Sequence, residues 1–143
     1  MTDTTRLFVT IAALAMTLAV VLGAFGAHAL KARITPTQLG VWHTAVQYHL
    51  VHALGLFVVA ALCHVWPGEA GVRLAGWMMA AGIVLFSGSL YVLVVTGVNW
   101  LGAITPLGGV AFITAWLLLA WNAWRAETTI VRQIDAAVAA STG

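Results

Sequence analysis

Charged side chains are what this sequence has least of. Lys and Arg together number 6, Asp and Glu number 4, and charged residues make up 7% of its 143 residues, whereas soluble domains average about 25%. Hydrophobic residues account for 62%, which is more apolar surface than a soluble fold of this length could remove from water. The shortage of charge therefore excludes a soluble domain and predicts an integral membrane protein.

Cysteine and net positive charge are also scarce. The single cysteine, Cys63, excludes an internal disulfide and, because it lies in an apolar run, indicates a small packing residue. The formal net charge of +2 is too small to indicate nucleic-acid binding, and the sequence contains no RNA-binding motif. We therefore expect the lipid bilayer, and no nucleic acid, to surround this chain.

Long apolar runs, in contrast, are abundant. A membrane-spanning helix needs about 20 predominantly apolar residues, and four segments qualify, at about residues 7–27, 46–66, 74–96 and 106–124. Because the linkers between them are short, neighbouring helices should run antiparallel. The sequence therefore predicts an all-α fold, an integral membrane up-down four-helix bundle, that forms one domain over residues 1–143.

Three short motifs mark helix ends. The sequence TPTQ at 35–38 combines an N-cap threonine, a proline at the first helical position and a glutamine at the third, so the second helix should begin near Pro36. The sequence TP at 105–106 repeats this arrangement at the fourth helix. The sequence WPG at 66–68 should end the second helix, because proline and glycine both discourage its continuation.

The two ends of the chain need separate interpretation. Arg6, the apolar run after it and the AHA sequence at 27–29 resemble a signal peptide with its cleavage site. The run is longer than a usual signal core, so we expect the first helix to be retained. The tail at 125–143 is polar to amphipathic, and a weak apolar stripe favours a short helix on the membrane surface. The stripe consists of Ile130, Ile134 and Val138.

Four spans place both termini on one side of the membrane, here named side A; the first and third loops then lie on side B. Four arginines lie on side A, against Lys31 and Arg33 on side B. The side-A arginines are Arg6, Arg73, Arg125 and Arg132. Because positively charged residues collect in the cytoplasm, we expect both termini to be cytoplasmic.

Polar residues gather in the half of the bundle nearest side B. The candidate ligand-binding residues are His28, Tyr48, His49, His52, Ser87, Ser89, Tyr91 and Thr105. Tyr48, His49 and His52 fall on one face of the second helix, and the spacing of three lets both histidines point to one place. Two interpretations stay open: hydrogen bonds that lock the helices together, or a site for a metal, a haem, a quinone head group or a proton in transit.

Metal and haem are the weaker forms of the second interpretation. His28, His49 and His52 could supply three nitrogens to a metal, but the acidic residues all lie on side A and there is no second cysteine. A haem could use His28 with His49 or His52, although nothing else indicates haem. We therefore predict no metal and leave any cofactor unknown. No nucleophile–base pair or nucleotide-binding loop indicates an enzyme.

Small residues predict close helix packing. Four of them recur every four positions on the first helix and should let another helix of the bundle approach it. They are Ala15, Ala19, Gly23 and Ala27. The segments at 23–30 and 105–109 each contain two glycines, which indicates close backbone approach or an irregular turn. Because a membrane tolerates such backbone only under cover of protein or a wet cavity, we expect a small polar cavity on side B, roofed by the loop at 31–38.

Four segments together resemble the signature segments of a known family. They are GAFGAHAL (23–30), TAVQYHLVHALGL (44–56), LFSGSLY (85–91) and ITPLGG (104–109). The chain thus resembles domain-of-unknown-function family 423, the UPF0382 proteins, across all four spans. The resemblance implies a small four-helix protein of the bacterial plasma (inner) membrane, with relatives in animals and a retained first helix. It carries over no biochemical activity; its motif residues would be the candidates above with Pro106, Gly108 and Gly109.

Three classes of function remain. The small size and the packing stripe favour a non-enzymatic accessory or structural subunit, or an assembly factor, of a larger membrane complex, with self-association as another form of partnership. The histidines favour a protein that binds or transports a small molecule, an ion or a proton through His49 and His52, although the lack of an intramembrane carboxylate counts against strong proton or cation coupling. A haem- or quinone-binding redox protein is the third class.

Overall fold

All regular elements of the computed structural model, which describes residues 2–141 and the side chains of residues 2–126, are helices. The α-helices are α1 (Asp3–Phe25), α2 (Pro36–Val65), α3 (Ala70–Gly82), α4 (Ser89–Thr96) and α5 (Thr105–Ser141). Two π-helical segments follow α1 and α3, at Gly26–Leu30 and Ile83–Gly88, and a 3-10 helix at Asn99–Ala103 precedes α5. The second π-helical segment joins α3 directly to α4.

Four continuous helical units are long and apolar enough to cross a membrane. They are Asp3–Leu30, Pro36–Val65, Ala70–Thr96 and Asn99–Ala126. Each covers the corresponding predicted segment to within one residue, so the all-α four-helix membrane fold is confirmed. Their lengths of 27 to 30 residues exceed the roughly 20 residues that cross the hydrocarbon core, so the helix ends reach the headgroup regions.

The motif at 35–38 forms the expected N-terminal cap of α2. The Gln38 backbone N–H donates to the Thr35 hydroxyl at 3.3 Å, and the Thr35 N–H donates to Gln38 Oε1 at 3.0 Å. Pro36 takes the first helical position, where its missing N–H costs nothing. The helix ends at Val65, and Gly68 adopts a left-handed φ of 94°. Both predicted boundaries of the second helix are confirmed.

Helix α1 packs along α2, α3 packs along α5, and α2 also contacts the whole third span from α3 to α4. One apolar core, which includes Phe8 and Met79, fills the bundle from side A to its middle. A second cluster around Trp42 and Val94 lies towards side B. The buried polar residues of the second and third spans lie between these two clusters.

Two glycines allow close contacts where the sequence predicts them. A Cβ atom at Gly108 would lie 2.8 Å from the Cα atom of Phe86 in the second π-helical segment. A Cβ atom at Gly26 would lie 2.5 Å from the indole ring of Trp42. Cβ atoms essentially never have non-bonded contacts below 3.0 Å, so both positions require glycine. The segment at 23–30 is also irregular as expected, because it contains the first π-helical turn.

The small residues of the first span pack against the bundle only in part. Ala19 is fully buried, and Ala15 and Gly23 are half-buried. Ala27 is exposed, whereas its neighbour Gly26 is buried seven residues after Ala19. Residues four apart on a helix are rotated by about 40° at each step, so Ala27 has left the face that Ala15 begins. The structure therefore places Ala27 outside the packing seam.

Tryptophans mark both ends of the bundle. Trp121 and Trp124 are 52% and 60% exposed near the side-A end of the fourth span, and Trp100 is 66% exposed at side B. Tryptophan prefers the membrane–water interface, where its ring is half apolar and half polar. Helix α5 continues beyond this level to Ser141. The predicted tail stripe of Ile130, Ile134 and Val138 lies outside the side chains that the structure describes.

Candidate functional site

The buried polar side chains of the described residues fall mostly in one place. Thr5 lies at side A, and the others come from the side-B half of the second and third spans, where the sequence predicts a cluster. They are His49, His52, Ser87 and Ser89. Tyr48 and His28 do not join them, since Tyr48 is 40% exposed and His28 is exposed at the end of the first span.

The structure does not assemble the metal or haem ligands considered above. His28 is exposed, whereas His49 and His52 are buried. Within residues 2–126 no group of three His, Cys, Asp or Glu side chains is close enough to share a metal ion. The predicted combinations that depend on His28 are therefore not formed.

Both ring nitrogens of His52 are occupied by the protein itself. The Trp116 indole N–H donates to His52 Nε2 at 3.2 Å, and His52 Nδ1 lies 2.8 Å from the Tyr48 carbonyl oxygen. An indole nitrogen can only donate, so Nε2 is an acceptor and the proton resides on Nδ1, which donates to the carbonyl. His52 is thus a neutral imidazole with no nitrogen left for a ligand.

Aromatic stacking holds this histidine in place. The His52 ring lies 3.4 Å from the ring of Phe112 at an interplanar angle of 11°. One turn away, the Tyr48 ring stacks on Phe86 at 4.4 Å and 25°. These contacts join α2 to α5 and to the second π-helical segment. His52 and Tyr48 therefore act as internal connections between helices, as the first of the two interpretations expects.

Ser89 and Thr105 form a second connection of the same kind. Their hydroxyl oxygens are 2.9 Å apart. Ser89 donates its proton to the Phe86 carbonyl at 3.0 Å, so Thr105 must be the donor in the pair. The threonine that the sequence motif predicts as a cap of the fourth helix thus ties that helix to the third span.

His49 differs from His52 although only one turn separates them. Its side chain is 2% exposed, and Nδ1 lies 3.4 Å from the Tyr91 hydroxyl. Its other nitrogen, Nε2, is buried and has no hydrogen-bond partner among the described residues. Ser87 Oγ is the second buried side-chain atom in this condition. These two atoms are the unsatisfied polar groups of the site.

Trp42 positions the tyrosine that contacts His49. The Trp42 ring lies 4.7 Å from the ring of Tyr91, and its N–H donates to the Leu22 carbonyl at 3.0 Å. This bond ties α2 to α1 just before the π-helical turn, where Gly26 leaves room for the indole. The chain of contacts from Leu22 to His49 thus fixes the polar end of the site.

A cavity of about 450 Å³ lies between α1, α2 and the third span beside His49. Its apolar lining residues are Ile11, Leu14, Ala15, Leu18, Leu22, Leu56, Ala80, Ile83, Val84 and Gly88. His49 and Tyr91 are the polar side chains in the lining. Buried His49 and Leu56 form its floor, and Leu14 and Val84, which are 66% and 69% exposed, form its rim. Exposed residues at this depth face lipid, so the cavity opens sideways into the bilayer.

This cavity differs from the one that the sequence predicts. A polar space under the loop at 31–38 was expected, but no residue of that loop lines the cavity beside His49. The reason is that most polar side chains of the cluster use one another or the backbone as partners, as His52, Ser89 and Thr105 do. As a result, His49 and Tyr91 are the polar side chains that line this otherwise apolar cavity.

The sequence prediction missed the aromatic partners. Trp116 donates to His52, and Phe112 stacks on it, yet both lie on α5, which looks uniformly apolar. One signal was available: tryptophan prefers the interface, and Trp116 lies in the middle of its span. A tryptophan at that depth usually needs a partner for its N–H.

Comparison with known proteins assigns relatives to the chain. The family described as "Protein of unknown function (DUF423)" matches residues 22–109, which include His49, Ser87 and Tyr91. The chain is 59% identical over 114 residues to the UPF0382 membrane protein YwdK of Bacillus subtilis, which covers 80% of this chain and 93% of that protein.

Staphylococcal proteins are also similar. The UPF0382 membrane protein SH2409 of Staphylococcus haemolyticus is 42% identical, and SAB0533 of Staphylococcus aureus is 44% identical. Each alignment spans 114 residues, or 80% of this chain and 92% of the relative. No solved structure matches the chain.

Proposed function

The chain belongs to the DUF423 family of UPF0382 membrane proteins, and we propose that it is a non-enzymatic membrane protein that binds a membrane-soluble small molecule in the cavity beside His49. The observation that carries this proposal is the apolar cavity of about 450 Å³ that opens to lipid and has His49 and Tyr91 as the polar side chains of its lining. A ligand that enters from the bilayer would pack on the apolar walls beside these two side chains.

The energetic argument rests on the contrast between two histidines. A buried polar atom without a partner costs about 1–3 kcal/mol. One turn from His49, the same fold satisfies both nitrogens of His52 with Tyr48 and Trp116. The bundle can therefore satisfy a histidine at this depth. A histidine left half-satisfied beside a cavity is the arrangement of a binding site.

The size and lining of the cavity agree with this role. Small-molecule sites usually have volumes of about 300–1,000 Å³ and apolar walls with a few polar groups, and this cavity has about 450 Å³ with two polar side chains. In this proposal the site lies at His49 and not at His52, because both ring nitrogens of His52 already have partners in the protein. Tyr91 and Trp42 position it.

Native mass spectrometry on protein extracted gently from its own membrane tests the proposal. We expect a species heavier than the 15.0 kDa chain by a few hundred daltons, and loss of this mass in His49→Ala. Ala80 lines the cavity, so Ala80→Leu should fill it and displace the ligand without touching the histidine. The matched control is His43→Ala, which alters an exposed histidine on the same helix. A bare wild-type chain in every preparation would reject the proposal.

A second candidate function is an accessory or structural subunit of a larger membrane complex. The first and fourth spans are the least buried of the four, so their outer faces are available to another protein. The same mass spectra separate the two functions. A bare chain that co-migrates with larger proteins would favour the accessory function, and a chain that carries a small ligand favours binding.

We also propose a location in the bacterial plasma (inner) membrane with both termini in the cytoplasm. Four side-A arginines against two side-B cations support this orientation. Single cysteines at Glu69 (side A) and Ala32 (side B), introduced into Cys63→Ala, should report it. A membrane-impermeant maleimide added to intact cells should label Ala32→Cys and spare Glu69→Cys, and the opposite pattern would reverse the orientation.

A further inference from the structure

The outer face of α2 carries a polar side chain where lipid is expected. Gln47 is exposed, and its amide has no hydrogen-bond partner among the described residues. It lies two residues before His49, which places it about 200° away around the helix, on the side opposite the bundle interior. The residues that continue this face towards side A are apolar and exposed: Val51, Leu54 and Val58. Gln47 therefore interrupts a surface that otherwise suits lipid.

The contacts of Trp42 give the depth of Gln47 in the membrane. The Trp42 ring lies against the ring of Tyr91, and Val95, one turn nearer side B than Tyr91, is 65% exposed. The apolar surface of the bundle thus extends towards side B beyond the level of Trp42. Gln47 lies five residues farther from side B, which is about 8 Å at 1.5 Å per residue. Its amide is therefore at the depth of the lipid chains.

A second exposed polar residue at this depth has a partner, whereas Gln47 has none. Trp42 donates to the Leu22 carbonyl, and α1 runs opposite to α2, so Thr17 is level with Gln47. Thr17 is exposed, but its hydroxyl donates to the Ala13 carbonyl at 2.9 Å. An unsatisfied polar group is costly among lipid chains, because no water is present there. The Gln47 amide therefore requires a partner from outside the four spans.

Gly40 lies on the same face, two turns nearer side B. It is exposed, and nothing lies within 4 Å of the position that a Cβ atom would take. The packing of this chain therefore gives no reason for a glycine here, although glycine is less favourable than alanine inside a helix. Between the two residues, Thr44 is exposed and its hydroxyl donates to the Gly40 carbonyl at 3.1 Å. Small residues on a membrane helix let a second helix approach closely. We name Gly40, Thr44 and Gln47 the Gln47 face.

The chemistry of the amide and the direction of insertion favour a second copy of this chain as the partner. An amide has both an acceptor oxygen and an NH₂ donor, so two glutamines can satisfy each other. Two copies inserted in the same direction hold Gln47 at one depth, and a twofold axis along the membrane normal places each residue opposite its counterpart. The face carries no charged side chain, so two copies do not repel each other.

From these observations we propose that the chain forms a homodimer in the membrane through the Gln47 face, with reciprocal hydrogen bonds between the two Gln47 amides near the twofold axis. This inference goes beyond the proposed function. The cavity beside His49 lies on the opposite side of α2, so dimerisation leaves its opening free.

Association is measured by energy transfer between donor-labelled and acceptor-labelled copies in vesicles of phosphatidylethanolamine and phosphatidylglycerol, over a range of protein-to-lipid ratios. We expect saturable transfer. Gln47→Leu should require an about tenfold higher ratio, the effect of two hydrogen bonds between membrane helices, and Gln47→Asn, which keeps the amide, should retain part of the association. Thr17→Leu is the matched control, because it removes a polar side chain at the same depth, and it should match wild type.

Disulfide formation between copies in native membranes locates the contact. In a Cys63→Ala background, Thr44→Cys and Val51→Cys introduce single cysteines that flank Gln47 and leave it in place. Oxidation should link both variants into dimers, which requires Cα atoms within about 7 Å of each other. Thr17→Cys, on α1 at the depth of Gln47, should stay monomeric.

The outcomes decide between a second copy and other partners. Saturable transfer that weakens in Gln47→Leu supports the dimer. Transfer no greater than random proximity at every ratio, or equal transfer in wild type and Gln47→Leu, would overturn it. Linkage of Thr44→Cys to a different protein without any dimer would also overturn it and would assign the face to that protein. His49→Ala should associate as wild type does, which separates this test from that of the ligand.

Discussion

Gly108 and Gly109 are neighbours on α5, yet the structure predicts opposite effects when each is changed to alanine. A Cβ atom at Gly108 would lie 2.7 Å from Cβ and 2.8 Å from Cα of Phe86. At Gly109 the nearest atom is 3.9 Å away, on the Phe86 ring. The obstacle at Gly108 is therefore main chain, which cannot rotate aside, and at Gly109 it is an ordinary van der Waals contact.

The size of the effect follows from two terms. Alanine is favoured over glycine in a helix interior by about 1 kcal/mol, and Gly109→Ala should gain up to this amount. Overpacking costs about 1–3 kcal/mol, and the upper end applies where backbone must move. Gly108→Ala should therefore lose about 2 kcal/mol net, and the two variants should differ by about 3 kcal/mol.

A geometric consequence gives a second readout. To restore contacts of about 3.5–4.0 Å, α5 would have to move about 1 Å away from the third span. The Ser89–Thr105 hydrogen bond of 2.9 Å crosses the same interface and would be broken by such a shift. Gly108→Ala combined with Thr105→Val should thus cost less than the sum of the two single changes.

Unfolding in sodium dodecyl sulfate, followed by tryptophan fluorescence, measures these differences. The Gly109→Ala variant serves as the control because it has the same composition as Gly108→Ala. The reasoning is refuted if Gly108→Ala unfolds at the same detergent fraction as wild type, or if Gly109→Ala is the less stable of the two.

Three further predictions concern single contacts, each measured by the same unfolding assay. Trp116→Phe should lower the free energy of unfolding by about 0.6 kcal/mol, the mean for a hydrogen bond between membrane helices; an unchanged value would mean that His52 does not need this donor. Ser87→Ala should leave stability unchanged or raise it by about 1 kcal/mol, because it removes an unpaired buried hydroxyl; a clear loss would reveal a partner. Gly26→Ala should destabilise by about 1–3 kcal/mol through collision with Trp42, and the companion change Trp42→Ala should remove this incompatibility in a double-mutant cycle.

Much of the fold could be predicted because it depends on local chemistry. Spans follow from runs of apolar residues, and the start of α2 follows from Thr35, Pro36 and Gln38, whose capping hydrogen bonds and proline position are local to the first turn of the helix. The exposure of Ala27 follows from helix geometry that the stripe of small residues ignores. Residues four apart are rotated by about 40° at each step, so Ala27 lies about 120° from Ala15 around a regular helix. The π-helical turn at Gly26–Leu30, in contrast, could not be predicted from the spacing.

The sequence predicts where the polar residues gather, but it does not predict that His49 and His52 have different surroundings. His49 and His52 look equivalent in sequence, because they share a helix face. Their difference is set by Trp116, which is 64 residues from His52, and by Tyr91, which is 42 residues from His49. Such pairings arise from the packing of distant helices, and no spacing rule within one helix contains them.

The π-helical segment at Ile83–Gly88 rotates the second half of the third span about the helix axis relative to the first half. A π turn holds more residues than the 3.6 of an α-helical turn, so residues after it are rotated relative to those before it. Before the π-helical segment, α3 packs against α5, and after it, α4 packs against α2. Tyr91, the partner of His49, lies three residues after the end of the π-helical segment at Gly88. Deletion of one residue from the segment would restore a uniform helix and swing Tyr91 by about 100°, so the length of this short segment matters to the site as much as the identity of the residues that line it.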